Sequence, residues 1–316
     1  MKENRMQFGI MAMQMPLLIP SGKPPDEMMA SLMGFDHSAL VRQLFNAGFR
    51  LIELGGDLGM FLPQSYSPES VEKLAALKQE LGLRYTLHLP LWSVEPSTPL
   101  TQVRHGSRAA LVEVIQLTKQ LEPESYVLHA TGALAAEFYQ MRLPELGRQV
   151  ILKMFQSGAE ETIQTILAET GIASRKLAVE TIEFPHELTM ELAEKFDTSI
   201  CLDVGHVLVG FSGPVELFDV LEQVLPRLGE IHLHDGPWQF AGGERKIGYG
   251  KDHSVLGTGD LDVPRLLKRL EEAKWKGPII FELTVEQALL SKEFIRKVCP
   301  KYLFDVIKGS ELSSLS

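Results

Sequence analysis

Eight short apolar segments recur along the chain, at 8–11, 49–54, 83–89, 126–129, 177–180, 199–203, 230–234 and 278–283. Runs this short and this apolar read as strands buried on both faces. Parallel strands need long crossovers, and a sheet buried on both sides needs helices to cover it. The intervening stretches supply them: helices are predicted over 36–47, 68–81, 101–121, 144–169, 186–196, 215–225, 262–273 and 284–298. Pro68 opens the second of these and Gly82 follows its end, the asymmetry that helix termini favour. Eight such units in 316 residues fit one α/β domain, a (β/α)8 TIM barrel, which takes about 250 residues. The barrel domain is expected to span 1–309, with a frayed tail at 310–316. No GxGxxG follows a strand and opens a helix, which argues against an open dinucleotide-binding sheet.

The net charge of −10 gives no general attraction for nucleic acid, whose binding requires neutralising phosphates. The two cysteines, Cys201 and Cys299, are too few for a disulfide framework. The run 10–20 contains Gln14 and Pro16 and lacks a small-residue cleavage pattern after it. It therefore reads as the end of the first strand and the loop beyond. No stretch reaches the ~18 uninterrupted apolar residues of a membrane span. A cytoplasmic location with no membrane or nucleic-acid partner is the expectation.

Polar residues gather where such a barrel builds its active site, at the C-terminal ends of the strands. His88 ends the third strand, His129 the fourth, Glu180 the fifth and Asp203 the sixth, with His206 three residues on. His232 and His234 end the seventh and Glu282 the eighth; His253 lies in the loop after the seventh. Of nine histidines only His37, His105 and His186 fall outside this set. Burying a polar group without a partner costs about 2–7 kcal/mol, so this many at one rim demands shared partners. Imidazole and carboxylate together suit zinc, manganese or iron, and no thiolate cluster competes. The ligands exceed what one tetrahedral ion uses, so two or three divalent ions sharing bridging carboxylates are expected. Paired ions stabilise charge on a transferring phosphoryl group. The loop 13–35 is Met-rich, and 236–250 carries Trp238, Phe240 and Tyr249 among glycines. These stretches read either as packing over the rim or as an apolar surface for a large ligand.

The motifs Leu87-His88-Leu89-Pro90-Leu91-Trp92, Tyr126-Val127-Leu128-His129, Cys201-Leu202-Asp203-Val204-Gly205-His206 and Leu233-His234-Asp235-Gly236 carry a resemblance. The chain resembles the xylose-isomerase-like barrels that include the apurinic endonucleases, and within them the cobamide-remodelling phosphodiesterases. By that resemblance His88, His129 and Glu180 hold one ion. Glu180, Asp203, His232 and Glu282 hold a second, and His206 and His253 a third. His232 and Asp235 form the family's His-x-x-Asp. One position departs: the family has an Asp two residues before the loop His, where this chain has Lys251, and Asp252 is one residue out of register. The resemblance implies hydrolysis of a phosphodiester in the nucleotide loop of a vitamin-B12-type cofactor, releasing the lower-ligand nucleoside. Glu180 and Glu282 would be catalytic, Lys251 would contact a substrate phosphate, and Trp92 and Trp238 would contact the corrinoid.

Other activities fit the same residues. A sugar isomerase or epimerase would use one ion on Glu180, Asp203, His232 and Glu282, with two carboxylates moving protons beside a carbonyl. An apurinic-site endonuclease runs against the charge, and a corrinoid- or metal-binding module would bind without turnover. His234 is open as a ligand, a substrate contact or a donor behind the ligands.

Overall fold

A computed structural model describes residues 6–12, 14, 22, 24–238, 240–241, 244–245 and 252–302. Eight parallel strands close into a barrel: β1 (Phe8–Met11), β2 (Leu51–Gly55), β3 (Arg84–His88), β4 (Tyr126–Leu128), β5 (Leu177–Glu180), β6 (Ser199–Asp203), β7 (Leu228–His232) and β8 (Ile279–Phe281). Each pairs with its neighbour in sequence, and β8 closes onto β1 through Phe8–Ile279 and Ile10–Phe281. The closure is tight. A Cβ at Gly9 would lie 2.6 Å from side chains of both Leu51 and Ile280, so β1 fits between β2 and β8 only as glycine at that point. The expectation of one (β/α)8 domain holds.

The core lies between strands and surrounding helices. Ile52, Leu54, Leu87, Leu128, Val179, Ile200 and Ile231 are fully or almost fully buried beneath Leu44, Leu74, Ile115, Ile163 and Leu221 of the helices. Helix starts follow local chemistry. Asp36 accepts the Ser38 backbone N–H at 2.8 Å, Ser67 caps Pro68–Leu81, and Thr284 forms a capping box with Gln287.

Three differences from the sequence reading bear on function. The stretch 12–35, read as loop, contains the helix Pro25–Met33; it buries no residue, so no core-facing stripe announces it. A further helix, Ala133–Gln140, follows β4. Strand β7 stops at His232, because Asp235 beyond it bridges antiparallel to Ser254 and turns the chain into a loop. The tail 310–316, together with Tyr249 and Lys251, lies outside the described residues. Among the described residues no helix is long and apolar enough to cross a membrane.

Candidate metal centre

His88, Glu180, Asp203 and His232 are the last residues of β3, β5, β6 and β7, and His129 and Glu282 are the first past β4 and β8. Register brings them level: Asp203 sits opposite His232, and Glu180 opposite Cys201. His206 arrives by a different route. Asp203 caps the short helix Val204–Leu208 by accepting the His206 backbone N–H on Oδ1 at 2.6 Å. That bond spends one carboxylate oxygen on the backbone and leaves Oδ2 facing the histidines.

Two carboxylates divide their oxygens between different histidines. Glu180 Oε2 lies 3.2 Å from His88 Nε2 and 2.9 Å from His129 Nε2. Its Oε1 lies 3.5 Å from Nδ1 of both His206 and His232. Glu282 Oε1 is 3.3 Å from His232 Nδ1, while its Oε2 is 3.3 Å from His253 Nε2. Asp203 Oδ2 lies 3.0 Å from His234 Nε2 and 3.5 Å from His206 Nδ1. Every one of these carboxylates is buried, so the contacts act in a medium where charge is poorly screened.

The electrostatics follow. Burial alone would raise the Glu180 carboxyl, but His129 and His232 hold it well below the usual range. Glu282 is likewise held well below its usual range against burial, by His232 and His253. Burial alone would lower the histidines, but their carboxylate partners reverse it. Glu180 carries His88 up to about 10, and Asp203 with Glu180 carries His206 to about 9. Asp252 and Glu282 carry His253 to about 11.

The donor set fits divalent cations. Glu180 Oε1, His206 Nδ1 and His232 Nδ1 are buried and have no hydrogen-bond partner. Atoms of that kind are costly to leave unmet and point to a missing charge between them. Among the described residues five groups offer one ligand atom per residue, all within 4.8 Å, and three of them cover the rim: His88, His129 and Glu180; Glu180, Asp203, His232 and Glu282; and His206, His234, His253 and Glu282. Nitrogen and oxygen ligands without thiolate suit zinc, manganese or iron.

The rim also holds residues that the sequence reading did not assign. Asp252, one residue off the family's register, places Oδ2 3.1 Å from His253 Nδ1 and 3.6 Å from His206 Nε2. Behind His232 lies Glu53, whose Oε1 is 3.3 Å from His232 Nε2. Glu53 stands in the middle of β2, and Glu230 two residues before His232 in β7; both are buried. The available signal was a carboxylate inside an otherwise apolar strand, which requires an interior partner. Glu53, Glu230 and His232 also bring one ligand atom each within 4.8 Å. Trp92, about half exposed, meets Phe61 edge-on at 5.6 Å on the loop after β3. Trp238 is exposed on the loop after β7, its backbone N–H donating to Asp260 at 2.8 Å.

Comparison with known proteins agrees with this fold. The chain is 21% identical over 244 residues to the uncharacterized protein MJ1311 of Methanocaldococcus jannaschii, covering 73% of this chain and 75% of that one. A D-tagatose 3-epimerase-like protein superposes with a TM-score of 0.65 at 19% identity, over 92% of this chain and 96% of the other. Endonuclease IV from Thermus thermophilus superposes at 0.58 with 18% identity, over 93% and 99% of the two chains. At these identities the structural likeness is one of fold. The profile described as xylose isomerase-like TIM barrel matches residues 41–298, and the chain belongs to that family.

Proposed function

We propose that the protein is a metal-dependent phosphodiesterase acting on the nucleotide loop of a cobamide. The observation that carries this reading is the division of Glu180's two carboxylate oxygens, one toward His88 and His129 and the other toward His206 and His232. A carboxylate between two histidine pairs is what adjacent cations share. Bound there, divalent ions supply Lewis-acid stabilisation of a phosphoryl oxygen and an activated water. His88, His129 and Glu180 would hold one ion, Glu180, Asp203, His232 and Glu282 another, and His206 and His253 a third, with Asp252, one residue off the family's register, beside those two histidines. The cobamide substrate rests on the resemblance carried by the strand-end motifs. Trp92 and Trp238 lie on loops after β3 and β7, where they would meet a corrinoid ring, and Lys251 would meet its phosphate.

The chain's own groups divide the remaining work. Glu180 and Glu282, held ionised by their histidines, orient the ring nitrogens at the rim. His232 and Asp203 beside them are fully buried, so neither meets bulk water.

A sugar epimerase is the second reading, favoured by the epimerase among the structural relatives and by the four-residue group Glu180, Asp203, His232 and Glu282. It leaves His88 and His129 without a ligand role. Incubation of zinc-loaded protein with adenosylcobalamin, followed by chromatography, tests the choice. Release of the lower-ligand nucleoside is the expected result. An intact cobamide, with other phosphodiesters cleaved or a ketose epimerised, would overturn it.

A further inference from the structure

His234 has a spacing that would make it a ligand of the third group, yet both of its ring nitrogens are engaged. Nδ1 accepts the backbone N–H of His253 at 2.7 Å. An acceptor nitrogen carries no proton, so in the neutral ring the proton sits on Nε2. That nitrogen faces Asp203 Oδ2 at 3.0 Å and donates to it. A ring so committed has no lone pair left for a cation. Its surroundings fix it further. The ring is fully buried and stacks on His253 at 4.1 Å, with the planes 8° apart. On the Gly205 side, a Cβ there would lie 2.1 Å from both Cε1 and Nδ1 of His234. Gly205 stands in a helix without positive φ, so its missing side chain serves the ring and not the backbone.

We infer that His234 is a positioning residue that joins Asp203 to the loop bearing Asp252 and His253, and that Gly205 is the slot that admits it. The ring aims Asp203 Oδ2 from behind, while its other nitrogen fixes the loop backbone at His253, where φ is 55°, in the left-handed region. Through that bond His234 sets where His253 meets Glu282 and Asp252. The inference rests on the metal-centre reading, but it makes a separate claim about protonation.

Long-range 1H–15N spectra of the histidine rings, recorded on the full chain with and without zinc, test it. The His234 signals are identified by their loss in His234→Gln. A proton on Nε2 and a bare Nδ1, unchanged by zinc, are the expected result. Zinc-dependent loss of the Nε2 proton would overturn the inference. Failure of the wild type to bind zinc would instead overturn the metal-centre reading and leave the tautomer still measurable.

Two variants sharpen the test. His234→Gln, whose amide can still donate to Asp203, should keep the wild-type number of zinc ions with a loss of affinity within about 10-fold, whereas His234→Ala should lose about 10–100-fold. Loss of one whole zinc equivalent in His234→Gln would identify a ligand and end the proposal. Gly205→Ala should weaken zinc binding by a similar 10–100-fold in the wild type but by less than about 2-fold on top of His234→Ala, because the obstructing ring is then gone. Equal losses in both backgrounds would show that Gly205 does not serve His234.

Discussion

At the rim of the barrel Glu180 sits among four histidines; one layer deeper, Glu230 sits beside Glu53 and hydrogen-bonds with Ser125. Both glutamates are buried and both end up on the barrel's inner side. Burial pushes each carboxyl up, but the neighbours differ in sign. His129 and His232 pull Glu180 well below its usual range, while the charge of Glu53 adds to burial and pushes Glu230 up to about 8. At neutral pH the rim group is an anion, whereas the rise to about 8 favours the protonated form of the deeper one; each has one oxygen without a hydrogen-bond partner. Depth of burial therefore does not separate the two layers; the groups beside each carboxylate do, imidazoles at the rim and a second carboxylate below.

The same substitution in the two layers should separate them most sharply. Glu180→Gln removes the shared anion and should lower metal affinity by more than the ~100-fold that loss of a supporting partner can cause, with at least one ion lost per chain by elemental analysis. Retention of the full metal content would break the comparison. Glu53→Gln tests the join between the layers. The Glu53 carboxylate faces His232 Nε2 at 3.3 Å and so turns Nδ1 toward the rim. Its loss should weaken metal binding about 10–100-fold with stoichiometry unchanged, read by equilibrium dialysis.

A third test uses an imidazole without the rim's company. His37 is buried edge-on to Tyr66 with its Nδ1 3.3 Å from the Ser65 carbonyl, and burial lowers it to about 4. Its folded value lies below the unfolded one of about 6.5, so the folded state resists taking up the proton that the unfolded state accepts. Stability from this group is complete above pH 6.5 and is lost as pH falls toward 4, by up to about 3 kcal/mol. Urea melts across that window should show the loss, and His37→Gln should flatten it. The smallest effect is expected for Glu230→Gln. An amide resembles the protonated acid already present, so stability at pH 7 should change by less than about 1 kcal/mol in the same melts. A loss of several kcal/mol would show that Glu230 is ionised.

Much of this architecture was legible in the chain. Short apolar runs at regular intervals with capped helices between them leave few alternatives to a closed parallel barrel, and the strand ends put His88, His129, Glu180, Asp203, His232 and Glu282 on one rim. Glu53 was hidden because a single acid in Leu51-Ile52-Glu53-Leu54 looks like an interruption of a strand. Its meaning comes from His232, 179 positions away in sequence. Asp252 was visible only as an acid one residue out of register; its carboxylate lies 3.6 Å from His206 Nε2, next to the left-handed turn at His253. His234 was ambiguous for a related reason, since the atom that occupies its Nδ1 is a backbone N–H that no residue type reveals.

The central claim is that the rim is a shared centre for more than one ion, bridged by Glu180. The most direct measurement is the number of divalent ions per chain in the purified wild-type protein, by elemental analysis against protein concentration. Two or three equivalents are the result this account predicts. A single equivalent, unchanged on adding zinc, manganese or iron, would contradict it and leave His88 and His129 without the role assigned to them.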